Sequence, residues 1–157
     1  IRIESSPALW CAVLKGRTLG GGAELALACD RRYATECATL SFTQLKMGLP
    51  SGWGGFHRLV SHVGRSTAIK MILKAQSLDA AAQVEAGLAE LINGDELTMF
   101  KADIAGWCTE DPAVIRSALE TLKSGGQRAV EQAAFSKCWG QQAHRNALRS
   151  FLDRHRG

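Results

Sequence analysis

The sequence predicts an α/β fold that is followed by a wholly helical portion. Three observations support this fold class. Short apolar runs alternate with helical patterns in the first half, glycine-rich turns separate them, and helical periodicity alone continues after residue 94. Strands that alternate with helices indicate a layered core. We therefore expect the core over residues 1–92 and the helical portion over residues 93–157.

The first predicted elements are a strand and a helix joined by a turn. An apolar run at 8–15 lies between Pro7 and Gly16, which predicts a buried strand. The segment 16–22 predicts the turn into a helix. The neighbours of Glu24 in that helix are small or apolar on every side, as in a helix that packs on all faces.

The remaining elements follow from periodicity and from turn residues. Apolar side chains recur at helical spacing over 56–63, and Gly64 ends that helix. The further predicted core elements are strands at 30–35, 39–42 and 88–92, a loop at 48–55, and helices around 68–73 and at 80–86. The helices predicted after the core lie at about 95–109, 112–123, 127–138 and 142–155.

Composition and charge argue against several classes of protein. No apolar run approaches the roughly 20 residues of a membrane span, so no membrane partner is expected. The net charge of +4 is concentrated in C-terminal arginines at helical spacing. They predict a solvated helix face or a contact with a phosphate-bearing small ligand. No nucleic-acid partner is expected, because nucleic-acid binding needs a basic stripe with interleaved aromatic residues.

The five cysteines are an odd number and lack the spacing of a metal site. Single buried thiols in a reducing compartment explain them best, rather than disulfides. We therefore expect no metal, and a location in the cytoplasm, or in mitochondria if the source is eukaryotic.

One carboxylate stands out, because Glu24 is the only charged side chain between Arg17 and Asp30. A buried carboxylate is costly unless it has partners or a task. Three glycines at 20–22 open its helix and let a ligand approach the unpaired amides and positive dipole of the helix end. Such donors beside a single acid/base predict a site that stabilises an enolate oxyanion.

The motifs together resemble those of the crotonase (enoyl-CoA hydratase/isomerase) superfamily. The resemblance is dense over residues 8–92 and loose in the C-terminal helices. The residues that carry it are Ala12-Val13-Leu14-Lys15-Gly16, Gly20-Gly21-Gly22-Ala23-Glu24-Leu25, Ala28-Cys29-Asp30, Phe42, Met47-Gly48, Gly52-Trp53-Gly54-Gly55, Arg58-Leu59, Val63-Gly64 and Ala86-Gly87-Leu88-Ala89. It implies a crotonase-like spiral of ββα units, of which this chain is the C-terminal part, and a helical portion used to assemble trimers or hexamers.

The resemblance also implies an acyl-CoA thioester as substrate, with coenzyme A as part of that substrate and no separate cofactor. Two backbone N–H groups would hold the enolate. One maps onto Gly21, and the other is expected upstream of Ile1, so the chain alone is expected to be inactive. Trp53 would either line an acyl pocket or plug the core. The expected substrate-binding residues are Gly20, Gly22, Gly52 and Trp53.

The second acidic position of the family's hydratases falls on Gln44, and an amide cannot exchange a proton near neutral pH. Decarboxylation of a short malonyl-type acyl-CoA is therefore favoured, because loss of CO₂ forms the enolate without a base. Glu24 would then protonate the carbon. The loop at 51–55 and the segment 138–140 are similar to the ethylmalonyl- and methylmalonyl-CoA decarboxylase branch. The alternatives are an enoyl-CoA hydratase or lyase, and a non-catalytic binding or scaffold subunit.

Overall fold

The structure, a computed structural model, describes residues 2–106 and 111–154. The chain divides into two compact units, Ile1–Lys101 and Ala102–Gly157. In chain order the elements are β1 (Cys11–Leu14), β2 (Arg17–Leu19), α1 (Gly21–Ala28), β3 (Arg31–Ala34), β4 (Thr39–Ser41), a 3₁₀ turn (Gln44–Met47), α2 (Gly55–Val63), α3 (Arg65–Lys74), β5 (Ser77–Leu78), α4 (Ala80–Glu85), β6 (Glu90–Leu91), α5 (Glu96–Ala105), α6 (Pro112–Lys123), α7 (Arg128–Cys138) and α8 (Gln142–Arg154).

The strands of the first unit form two sheets of three strands each. One sheet has the order β1-β3-β6 with parallel pairs, and the other has the order β2-β4-β5, in which β2 and β4 are parallel and β4 and β5 antiparallel. Thus β1, β2 and α1 form one ββα unit, and β3, β4 and α2 form the next. The first strand of each unit joins one sheet and the second strand joins the other. The prediction of successive ββα units is confirmed.

The main core of the first unit lies where α1 packs against α2. Its buried members are Ala23, Leu27, Leu40, Phe42, Leu59, Ala68, Met71, Leu78 and Leu88. The prediction that α1 packs on all faces is wrong for one face, because Leu25 is 46% exposed and Gly22, three residues earlier, is also exposed. Ala23, Glu24 and the segment 26–28 are buried, which places the Glu24 side chain inside the unit.

Three short elements are not evident from the sequence pattern. They are β2, β5 and the 3₁₀ turn, which have three, two and four residues. Elements of this length are too short to show a period. The strands β2 and β5 both exist through pairing with β4. The apolar run at 8–15 forms only the four-residue strand β1, and Val13 within it is 42% exposed, so the prediction of a wholly buried strand is wrong.

The prediction of buried thiols is also wrong for the cysteines that the structure describes. Cys11, Cys29 and Cys138 are half-buried, and Cys37 is exposed in the turn between β3 and β4. None of these four forms a disulfide. Cys108 lies outside the described residues.

The second unit is helical within the described residues, and α6 packs against α7. Asp111 caps α6 by accepting a hydrogen bond from the Ala113 amide at 2.8 Å. The ring of Trp139 lies 5.1 Å from that of Phe135 and 4.5 Å from that of His144. His144 is half-buried. Across residues 2–106 and 111–154, none of the helices has the length and apolarity needed to cross a bilayer.

Candidate active site

Glu24 lies in the first turn of α1 and is 2% exposed. The turn from β2 into this helix depends on Gly20, whose φ of 50° is a conformation that side-chain-bearing residues rarely adopt. The Gly20 amide also donates to the Ser41 carbonyl at 3.0 Å, which ties the start of α1 to β4. The local backbone thus delivers a carboxylate to the interior directly after a strand.

Four hydrogen-bond donors converge on the Glu24 carboxylate. Nε2 of Gln44 donates to Oε1 at 2.6 Å. The Ser51 hydroxyl and the amides of Trp53 and Gly55 donate to Oε2 at 2.7, 2.8 and 3.1 Å. These donors come from the 3₁₀ turn, from the glycine-rich loop before α2 and from the first residue of α2. Glu24 therefore fastens that loop to α1.

The electrostatic balance at Glu24 favours the ionised form. Burial acts to raise the pKa of its carboxyl, but the hydrogen bonds outweigh burial and hold the pKa below its usual value. Three donors saturate Oε2, whereas Oε1 accepts one bond and retains the capacity to accept another. The oxygen with remaining acceptor capacity is thus the one beside Gln44.

Gln44 is 9% exposed, and its Oε1 atom is buried without a hydrogen-bond partner in the described part of the chain. Because buried polar atoms are almost always paired, this oxygen is suited to accept a bond from a bound donor. Lys46, two residues on, is exposed. Of these two neighbouring polar residues, Gln44 is the one that the structure places at Glu24.

Trp53 covers the start of α1. A Cβ atom on Gly21 would lie 2.7 Å from Cζ3 of Trp53, so the indole packs directly on this glycine. Trp53 is 56% exposed and does not plug the core. The first amides of a helix have no acceptor within it, and the amide of Gly21 is one of these. The predicted oxyanion donor therefore lies beside an exposed aromatic ring.

The other predicted binding residues do not converge on the carboxylate in the same way. Gly22 is exposed and faces Thr18, with 3.8 Å between the position of an added Cβ and the threonine methyl group. Gly52 is exposed in the loop, and a Cβ there would meet no atom within 4 Å. The structure thus brings together Gly21, Glu24, Gln44 and Trp53.

Sequence reasoning missed two residues that position this site, Ser51 and Arg58. Nη1 of Arg58 donates to the Trp53 carbonyl at 2.6 Å, while Nε and Nη2 each donate to the Glu4 carboxylate at 2.6 Å. Arg58 therefore links the glycine-rich loop to the N-terminal segment. One feature of the sequence could have indicated this role. Arg58 lies one helical turn after the loop, in the Arg58-Leu59 motif.

No group of three or more His, Cys, Asp or Glu side chains is arranged to hold a metal ion within the described ranges. The polar groups that the structure brings together at Glu24 are its carboxylate, the amide groups of Gln44, Trp53 and Gly55, and the Ser51 hydroxyl.

The chain is similar in sequence and fold to known proteins. The sequence profile of the enoyl-CoA hydratase/isomerase family matches residues 1–156. The chain is 33% identical to the ethylmalonyl-CoA decarboxylase of Gallus gallus over 159 residues, which cover 94% of this chain and 53% of that protein. It is 30% identical to the "Probable enoyl-CoA hydratase" of Bacillus subtilis (strain 168) over 162 residues, which cover 98% of this chain and 63% of the relative.

A similar solved structure is that of a Thermobifida fusca YX protein of the enoyl-CoA hydratase type, in complex with acetoacetyl-CoA. It superposes with a TM-score of 0.77 at 28% identity and covers 84% of this chain and 55% of its own. The chain thus spans about half the length of the decarboxylases it matches, 53% of the Gallus gallus protein. The match of the family profile along almost the whole sequence decides the assignment. The chain belongs to the enoyl-CoA hydratase/isomerase family.

Proposed function

We propose that this protein acts on an acyl-CoA thioester through an enolate, and that its reaction is the decarboxylation of a short malonyl-type acyl-CoA. The observation that carries the proposal is the pairing of one buried carboxylate, Glu24, with an amide, Gln44, at the start of α1. Among the described residues, Glu24 is the one carboxylate at this position, whereas hydration by two carboxylates requires a pair.

The relatives support this substrate class. Ethylmalonyl-CoA decarboxylases share 32–34% identity with the chain in four vertebrates. The Thermobifida fusca protein binds acetoacetyl-CoA in its crystal structure. Both ligands named are acyl-CoA thioesters with a second carbonyl group on the acyl chain.

In the proposed reaction the bond between the α-carbon and the substrate carboxylate breaks, and CO₂ leaves. The electron pair moves onto the thioester carbonyl oxygen and forms an enolate. The amide of Gly21 would donate a hydrogen bond to that oxygen and so stabilise the charge that develops on it. The α-carbon then takes a proton and the carbonyl is restored.

Glu24 would deliver this proton. Because its pKa lies below the usual value, Glu24 must first take up a proton before it can act as an acid. The rate of an acid-dependent step should then fall as pH rises, whereas a step in which Glu24 acts as a base should speed up as the carboxyl ionises. The direction of the pH profile thus separates the two roles.

Hydration is the second candidate, and one observation favours it. Oε1 of Glu24 retains acceptor capacity, and Oε1 of Gln44 is buried and unpaired. Two neighbouring acceptors can orient one water molecule by both of its hydrogens. In that reaction the ionised Glu24 would remove a proton from the water.

The test is a panel of thioesters with the full-length protein, run beside Glu24→Gln. The proposal predicts release of CO₂ from ethylmalonyl-CoA, with most turnover lost in Glu24→Gln. Undetectable decarboxylation together with rapid hydration of crotonyl-CoA would reverse the ranking of the two candidates. Absence of turnover on every thioester would favour a binding or scaffold subunit.

A further inference from the structure

We propose that Ser51 is a positioning residue, whose hydroxyl fixes the Glu24 carboxylate so that Oε1 faces the reacting groups. This inference deepens the proposed function and rests on it. It concerns a residue of the glycine-rich loop before α2.

The hydroxyl of Ser51 is held from two sides. It donates its one hydrogen to Oε2 of Glu24 at 2.7 Å, since a carboxylate can only accept. Its oxygen in turn accepts from the Phe56 amide at 3.4 Å, in the first turn of α2. The Ser51 side chain therefore connects the start of α2 to the carboxylate on α1.

Ser51 and Gln44 are the two side chains that hold the carboxylate, one at each oxygen. The amides of Trp53 and Gly55 also act on Oε2, so that this oxygen is fully occupied by the loop. Oε1 is left as the oxygen that can exchange a proton or accept a further bond. Removal of the Ser51 hydroxyl should let the carboxylate rotate. The difference in hydrogen bonding between Oε1 and Oε2 should then become smaller.

Few charges act on Glu24 from the elements packed around it. α1 and the loop at 48–54 contain no other charged side chain, and Lys46 of the 3₁₀ turn is exposed. From α2, Arg58 interacts electrostatically with Glu24 while it is paired with Glu4. Neutral donors therefore dominate the environment of the carboxylate.

Among these donors, Ser51 has the largest part in lowering the pKa of Glu24 against the effect of burial. A hydrogen bond to a charged group is worth more than one between neutral groups. Loss of the hydroxyl should therefore make the Glu24 proton bind about tenfold more tightly.

The experiment compares Ser51→Ala with Ser61→Ala in the full-length protein. Ser61 is a matched control because it lies exposed on α2 and donates only to the His57 carbonyl, at 3.2 Å. The readouts are the titration of the ¹³C-labelled Glu24 carboxyl, assigned with Glu24→Gln, and the pH dependence of kcat and KM.

Ser51→Ala should move the titration of the Glu24 carboxyl to higher pH. The part of the pH profile of kcat that depends on this ionisation should move with it, and KM should change less. Ser61→Ala should move neither, and Ser51→Thr, which keeps the hydroxyl, should restore the original titration. An unmoved titration in Ser51→Ala would overturn the inference. Should that variant not fold, Ser51→Cys replaces it, because a thiol is a weaker donor and should give a smaller shift in the same direction.

The two proposals fail separately in this design. Without thioester turnover the proposed function fails, yet the carboxyl titration still tests the contact of Ser51 with Glu24. If turnover is normal and the titration of Ser51→Ala matches that of the unsubstituted protein, only the role of Ser51 is refuted.

Discussion

Gly55 and Glu24 are packed so closely that a Cβ atom on residue 55 would overlap Cγ of the glutamate. The Gly55 amide reaches Oε2 at 3.1 Å only because this residue has no side chain. Its φ lies outside the left-handed region, so close approach rather than backbone freedom requires glycine here. The start of α2 and the carboxylate of α1 are thereby fixed together.

Gly55→Ala should destabilise the protein by about 1–3 kcal/mol, because the added methyl group must displace a buried side chain or shift α1 from α2. Denaturant unfolding measures this free energy. Gly52→Ala is the matched control, since its Cβ would enter open space, and it should change stability by no more than about 0.5 kcal/mol. Equal losses in the two variants would contradict the close-packing argument.

The stability of the protein should depend on the ionisation of Glu24. Its folded-state pKa is lowered, so its stabilising effect is present above the unfolded-state value of about 4.3 and is lost as pH falls through the folded-state pKa. The free energy of unfolding should therefore fall more steeply below pH ~5 in the unsubstituted protein than in Glu24→Gln. If the free energy of unfolding fell equally with pH in the two proteins, ionisation of Glu24 would contribute nothing to stability.

Gln44→Glu should convert the site to a pair of carboxylates. The new group would lie where Nε2 of Gln44 now donates to Glu24 at 2.6 Å, and two adjacent carboxylates cannot both ionise readily. We expect slower decarboxylation, because negative charge is added near the departing carboxylate, and a gain of hydration. Product analysis with both thioesters measures the change. An unaltered decarboxylation rate in Gln44→Glu would show that residue 44 does not act on the departing carboxylate.

Trp53→Ala should alter the choice of acyl chain. The indole packs on Gly21 and is more than half exposed, so an acyl group that reaches the Gly21 amide must contact it. We expect a several-fold higher KM for short thioesters, a smaller change in kcat, and better use of branched or longer chains. Trp53→Phe, which keeps an aromatic face, should lie between. The same relative kcat/KM for all chains in the three proteins would argue against an acyl contact.

Arg58→Lys should loosen the glycine-rich loop. A lysine cannot bond the Trp53 carbonyl and both Glu4 oxygens at once, as the guanidinium does. We expect a loss of about 1–2 kcal/mol in unfolding free energy. Arg65→Lys is the control, because Arg65 is exposed at the start of α3. If the two substitutions have the same small effect, Arg58 does not hold the loop.

Sequence periodicity was sufficient for the long elements. It predicted α2, because that pattern is complete within one helix, whereas the helix of Glu24 was predicted from its opening glycines and its small or apolar residues. It could not predict β2, whose three residues exist as a strand through pairing with β4. It also missed the part played by Ser51, since that contact spans 27 positions and a lone serine in a loop has no distinctive spacing. Local patterns thus recovered the framework, while contacts between distant segments defined the candidate site.

The most direct measurement is a crystal structure of the full-length protein with a stable acyl-CoA analogue. The thioester carbonyl oxygen should lie about 3 Å from the Gly21 amide nitrogen, with the α-carbon on the side of Glu24. A bound analogue whose carbonyl oxygen points away from Gly21 would contradict it.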